Sequence, residues 1–180
     1  MKTIQLLPLI FLSLLMGPTA AVADTDEARL RLLMDEHEIR SVLDRVDLAV
    51  DAKDWEKVRG FYADEVEFDA ASLEPDVQPR RMNADEMIAG WKKILFEGKK
   101  SNHMRSNYEI MVDGDSATVN SKGYSLNILA TGRGSDLWEV WGDYVHTLTR
   151  EKDGWKITGL TFNTVYARGN EKAHDFMPSE

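Results

Sequence analysis

An α+β fold enclosing a pocket is predicted by three observations. Helical periodicity fills the front half of the chain, period-two alternation with Asp-Gly turns fills the back half, and 180 residues suffice for one domain. Helices gathered ahead of a meander predict three N-terminal helices packed against a curved antiparallel sheet, with a cavity between the layers.

The elements follow in order. Residues 1–23 read as a secretory signal peptide: Lys2 is positive, 4–16 is mostly apolar, Gly17 and Pro18 break a helix, and Ala21-Val22-Ala23 fits a small-x-small cut before Asp24. The mature chain is then expected to be periplasmic or secreted, without stable membrane insertion. Asp24 and Glu27 form a capping box for a long helix whose apolar positions include Leu30, Leu33, Ile39, Leu43, Val46 and Val50. Ala52 and Lys53 interrupt it, and Asp54 caps a short second helix through Trp55, Val58, Phe61 and Tyr62 that ends near Ala63. Val66 and Phe68 alternate with acids as a short strand, and 74–81 is read as a loop. Asn83 and Glu86 open a third helix through Met87, Ile88, Trp91, Ile94 and Leu95, with Gly98 at its stop. Strands are expected at 108–112, 117–129, 137–150 and 155–166, joined by Asp113-Gly114, a loop at 131–136 and Asp153-Gly154. The domain spans 24–167, and 168–180 is expected to be a loose tail.

Composition narrows the chemistry. With Asp+Glu 31 against Lys+Arg 22, the chain carries a formal charge of −9 and repels phosphate backbones, so no nucleic-acid partner is expected. The absence of cysteine removes disulfides, thiol nucleophiles and thiolate metal sites. The Gly132-Arg133-Gly134 loop lacks the third glycine and following helix of a dinucleotide fingerprint. No serine-hydrolase, zincin or phosphate-loop motif occurs, so no cofactor and no metal are expected, and acid–base chemistry remains.

Several motifs recur in the order of a known group. Leu48-Ala49-Val50-Asp51-Ala52-Lys53-Asp54-Trp55 with the 61–68 stretch, Asn102-His103-Met104 before Tyr108-Glu109-Ile110, 113–117, Gly142-Asp143-Tyr144, and Asp153-Gly154-Trp155-Lys156-Ile157 together resemble the SnoaL-like group of the nuclear transport factor 2-like superfamily over 30–166. The resemblance implies a cone-like fold and a cofactor-independent lyase or isomerase, dehydratase-like, acting on a small hydrophobic carbonyl or hydroxyl compound. It also implies a homo-oligomer, dimer or trimer.

Around Asp51 and His103 the chain is similar to the scytalone and bile-acid dehydratases of that group, which implies that His103 moves protons and Asp51 orients it. Where those enzymes carry further polar groups, this chain has Val50, Ala70, Val46, Thr164 and Ser121 or Asn120. A non-catalytic small-ligand or dimerisation module of the cell envelope is therefore the alternative. The candidate catalytic residues are Asp51 and His103. Asp51 shares a helical face with Asp44 and Asp47, the pattern of a solvated acidic stripe or of a site. The candidate pocket residues are Phe68, Met104, Tyr144 and His146, the last two alternating with Leu148 on a face that lines or fills the cavity. Trp138 and Trp141 fall on opposite strand faces. His37 lies in an acidic helical run and His174 in the tail, so neither supports a metal site.

Overall fold

The computed structural model describes residues 19–73, 76–132 and 134–178. The elements are helices α1 (Thr19–Asp51), α2 (Trp55–Gly60), α3 (Ala84–Ile94) and α4 (Glu171–Asp175), with strands β1 (Tyr62–Asp69), β2 (Arg80–Asn83), β3 (Lys100–Asp113), β4 (Ser116–Ile128), β5 (Leu137–Glu151) and β6 (Gly154–Gly169). The helices pack against a six-stranded, unclosed sheet of order β2-β1-β6-β5-β4-β3. It is mixed, because β1 runs parallel to β6 while every other pairing is antiparallel. The antiparallel expectation is corrected there: strand order depends on packing, not on local alternation.

The helices follow their apolar stripes, in α1 only from Ile39 onward, because Leu30 and Leu33, expected on the same stripe, lie beyond the sheet and are 58% and 57% exposed. Ile39, Leu43, Val46 and Val50 of α1 are buried with Val58, Met87 and Ile88 over Val119, Leu148 and Ile157 of the sheet. The α1 helix is already formed at Thr19, the first described residue, so no cap forms on Asp24; Ala20, Ala21 and Ala23 are strong helix formers that carry the helix through that position. The part of the expected signal peptide at 1–18 lies outside the described residues. Among the described residues no helix is long and apolar enough to cross a membrane. At the other end α1 stops because Lys53 turns into the left-handed region (φ 57°), where Lys53 N donates to Val50 O at 3.0 Å and Asp54 N to Ala49 O at 2.9 Å. That conformation costs a β-carbon residue about 1–2 kcal/mol, and it leaves Asp51 on the last helical turn.

Asp54 and Asn83 cap α2 and α3 as expected, through their side chains. The third helix ends at Leu95, before Gly98. Four elements differ from the reading of the sequence. Helix α2 ends at Gly60, and Tyr62 and Ala63, expected to close it, open β1 instead. Strand β2 occupies the end of the expected 74–81 loop, a four-residue edge segment in which Met82 is the buried residue. Strand β3 starts at Lys100, so His103 lies within it and not ahead of it. The segment expected to be a loose tail extends β6 to Gly169 and then forms α4, with Ala173 fully buried.

Candidate active site

Four residues of α1 and β3 form the centre. Asp47 and Asp51 stand one helical turn apart, a rise of about 6 Å, and His103 and Arg105 stand two strand residues apart, about 6.6 Å. The two repeats match in pitch, so α1 packed on β3 presents each acid to one base. His103 Nδ1 lies 2.7 Å from Asp51 Oδ1, and the His103 backbone N–H donates to Asp51 Oδ2 at 2.7 Å. The Ser101 hydroxyl donates to Asp51 Oδ1 at 2.9 Å, and Lys53 Nζ donates to the Ser101 hydroxyl at 3.1 Å. One turn earlier Arg105 holds Asp47 in a fork, Nε to Oδ2 at 2.9 Å and Nη2 to Oδ1 at 2.7 Å. One further turn back, the Tyr108 hydroxyl donates to Asp44. Asn107, with φ 53°, shifts the register of β3 between Ser106 and Glu109, which keeps Tyr108 on the inward side. The acidic face of α1 is thus a set of paired carboxylates, not a solvated stripe.

Electrostatics follow from burial and pairing. The His103 and Asp51 side chains are 19% and 16% exposed. Burial pushes the Asp51 carboxyl up, but the His103 ring, its charge when protonated, its backbone N–H and the Ser101 hydroxyl outweigh burial and hold it below the ordinary carboxylate value. A carboxyl lowered by folding adds stability that is complete above its unfolded value of about 4 and is lost as pH falls through the folded value. Wild-type urea midpoints are therefore expected to fall more steeply on acidification below about pH 4 than those of Asp51→Asn. Equal slopes would place Asp51 in water.

The Arg105–Asp47 pair is more deeply buried, at 3% and 13% exposed. Burial works against the Arg105 charge, and Asp47 more than restores it. Arg105 Nη1 also lies 3.2 Å from His146 Nδ1, and its guanidinium sits 4.2 Å over the Tyr144 ring. Burial, then the Arg105 charge, holds His146 well below the ordinary imidazole value, so His146 is a neutral acceptor. Burial pushes Tyr144 up to about 12 and Tyr62 higher still, so both hydroxyls stay protonated at neutral pH. The Tyr62 hydroxyl is buried and finds no hydrogen-bond partner among the described residues.

These groups border a cavity of about 300 Å³ between sheet and helices, walled by Val46, Val50, Phe68, Trp91, Leu160 and Phe162, among others, with Asp47, His103, Arg105, Tyr62 and Tyr144 as polar groups. Its floor depends on two glycines. Gly123 and Gly142 are register partners on β4 and β5, and a β-carbon there would stand inside the rings of Tyr144 and Phe162. Their absence lets both rings lie flat against the sheet.

Of the residues expected from the sequence, Asp51 and His103 are in contact, and Phe68 and Tyr144 line the cavity. Met104 does not: it follows His103 in a strand, so it points to the opposite face and is 55% exposed. His146 is also corrected, being fully buried behind Arg105 as core. Trp138 lines the cavity, while Trp141 lies on the outer face between Tyr124 and Tyr166. Among the wall groups that the reading of the sequence does not anticipate are Asp47, Arg105 and His174. The i, i+4 acids of α1 against the i, i+2 bases of β3 carried the signal for the first two.

Comparison with known proteins completes the description. Curated proteins offer no match to this chain. Among solved structures, the Kfla4162 protein of Kribbella flavida is similar at 22% identity with a TM-score of 0.73, covering 79% of this chain and 97% of that one. A scytalone dehydratase-like protein of Novosphingobium aromaticivorans is similar at 17% identity and a TM-score of 0.65, covering 82% and 91%. The hexachlorocyclohexane dehydrochlorinase LinA-type3 of Novosphingobium barchaimii is similar at 15% identity and a TM-score of 0.65, covering 83% and 99%. These likenesses show the fold. Residues 31–161 match the family model of the SnoaL-like domain, and the chain belongs to that family.

Proposed function

We propose that the protein is a cofactor-independent lyase or isomerase that removes a proton next to a carbonyl, or next to a carbon bearing a leaving group, in a small hydrophobic substrate. The observation that carries this reading is the His103–Asp51 contact of 2.7 Å at the wall of a mostly apolar cavity. With Nδ1–H given to the carboxylate, the ring keeps its Nε2 lone pair for a bound molecule, and Asp51 steadies the imidazolium formed by proton transfer. Arg105, Tyr62 and Tyr144 put positive potential and hydroxyl donors on the same wall, where charge develops on a carbonyl oxygen. Two structural relatives support the class by their names, a dehydrochlorinase and a dehydratase-like protein.

The test is deuterium incorporation at carbon in D₂O, followed by NMR over a panel of small hydrophobic ketones, β-hydroxy ketones and β-chloro ketones. Exchange or elimination above buffer rates supports the reading. A second reading, a binding module without catalysis, is favoured by Val50 and Ala70, apolar groups on the cavity wall at positions where the resemblance to scytalone dehydratase implies tyrosines. It requires panel compounds to raise the melting temperature with no exchange and no product.

Export and self-association belong to the same proposal. A cut before Asp24 falls within the described part of α1, well away from the site, and N-terminal sequencing of the purified protein checks it. Met104, Tyr124, Trp141 and Tyr166 form one register row across the outer face of β3 to β6, which suits a dimer or trimer measurable by sedimentation equilibrium.

A further inference from the structure

The geometry points to His174, carried by the C-terminal segment, as the second proton-transfer residue of the cavity. The inference rests on the reading of His103 as base and extends it to the leaving group.

Three observations place His174 there. It lines the cavity that His103 lines. Its Nδ1 lies 2.7 Å from Oδ1 of the neighbouring, 69% exposed Asp175, a ring-to-carboxylate contact that leaves Nε2 for a bound molecule as in His103. Its ring is held against Trp138 at a centroid distance of 4.1 Å. The backbone of the segment is fixed with unusual investment: Ala173 is fully buried, Phe96 packs on Phe176, and Lys99, 1% exposed, donates its ammonium to the His174 carbonyl. The same ammonium lies 5.8 Å from the Phe96 ring centroid and feels the Asp175 charge, so three contacts offset its burial and together hold the backbone at residue 174.

The sheet register sets the span. His103 pairs with Ser125 and Ser125 with Val140, two residues from Trp138. Two strand spacings and one pleat repeat separate the His103 and Trp138 α-carbons by about 12 Å, a gap that two inward side chains and a small molecule fill.

Elimination of water from a β-hydroxy carbonyl needs two proton transfers. His103 Nε2 takes the proton from the carbon beside the carbonyl, the carbon–oxygen bond breaks with its electron pair on the hydroxyl oxygen, and protonated His174 gives that oxygen its Nε2 proton. Water and the conjugated carbonyl compound leave. His103 then returns its proton to solvent, and His174 is reprotonated from the outer hollow of about 600 Å³ that it also borders, beside Asp175 and Glu171. The other titratable wall groups suit this step less well: Arg80 and Arg105 do not release their protons, Tyr62 and Tyr144 are pushed up by burial, Asp47 is held by Arg105, and Glu86 is exposed.

The experiment compares leaving groups. In H174Q, loss of water from a β-hydroxy ketone is expected to fall at least about 30-fold relative to loss of HCl from the matching β-chloro ketone, because chloride leaves without a proton. Deuterium exchange beside the carbonyl persists. D175N, which keeps the ring, is expected to move the pH profile of water loss. Near-UV circular dichroism of Trp138 and the melting temperature report whether the segment stays docked. An unchanged water-to-HCl ratio in H174Q, with D175N leaving the profile in place, overturns the role of His174 while His103 stands. Wild-type protein with neither exchange nor elimination overturns both.

Discussion

Replacing His103 with alanine is expected to slow carbon deuteration by about 10²- to 10⁴-fold, the contribution typical of a positioned acid–base group. Asp51→Asn is expected to lose about 10²-fold or more with the ring still present. The amide can no longer accept Nδ1–H as a carboxylate does, and it stabilises no imidazolium. The physical reason lies in the double grip on Asp51, which accepts from the ring and from the backbone N–H of the same histidine. One carboxylate therefore fixes both the position and the tautomer of His103. Initial rates in D₂O, at equal folded fraction, provide the check. Both variants exchanging at the wild-type rate would remove the pair from the chemistry.

Arg105→Met is expected to destabilise the fold by about 3–5 kcal/mol, because it leaves the Asp47 carboxylate buried without its partner. Asp47→Leu combined with Arg105→Met should recover most of that loss, since the removal of both charges also removes the desolvation they impose. Urea unfolding of the single and double variants measures the coupling. A cost below about 1 kcal/mol for Arg105→Met would mean that the pair behaves as a surface salt bridge, contrary to its 3% and 13% exposure. The double variant also separates stability from catalysis. If it folds and binds panel compounds but exchanges slowly, the Arg105 charge acts on the substrate oxygen as well as on Asp47.

The parts of the fold legible in the sequence are those written in local periodicity. The apolar stripe of α1 from Ile39 to Val50, the caps at Asp54 and Asn83, and the Asp-Gly turns each follow from a few neighbouring residues. Strand β2 and helix α4 are not written that way. Each is too short to form alone, and each is held by distant partners, β1 in the first case and Lys99, Phe96 and Trp138 in the second. The site divides similarly. Asp51 and His103 are tied to recurring motifs, while Met104, next to His103 in β3, is sent outward by strand parity. Asp47 and Arg105 needed two periods read together, 3.6 on the helix and 2 on the strand, and that match becomes visible only once α1 is known to lie on β3.

The most direct test of the centre is the ring ¹⁵N spectrum of His103, assigned by its loss in His103→Gln and recorded at a pH where the ring is neutral. The expected spectrum shows one tautomer, Nδ1 protonated and Nε2 bare, which gives way to an averaged pair in Asp51→Asn and shifts at Nε2 when a hydrophobic ketone fills the cavity. An averaged ring in the wild type, indifferent to Asp51 and to the ketone, contradicts the pairing and with it the proposed chemistry.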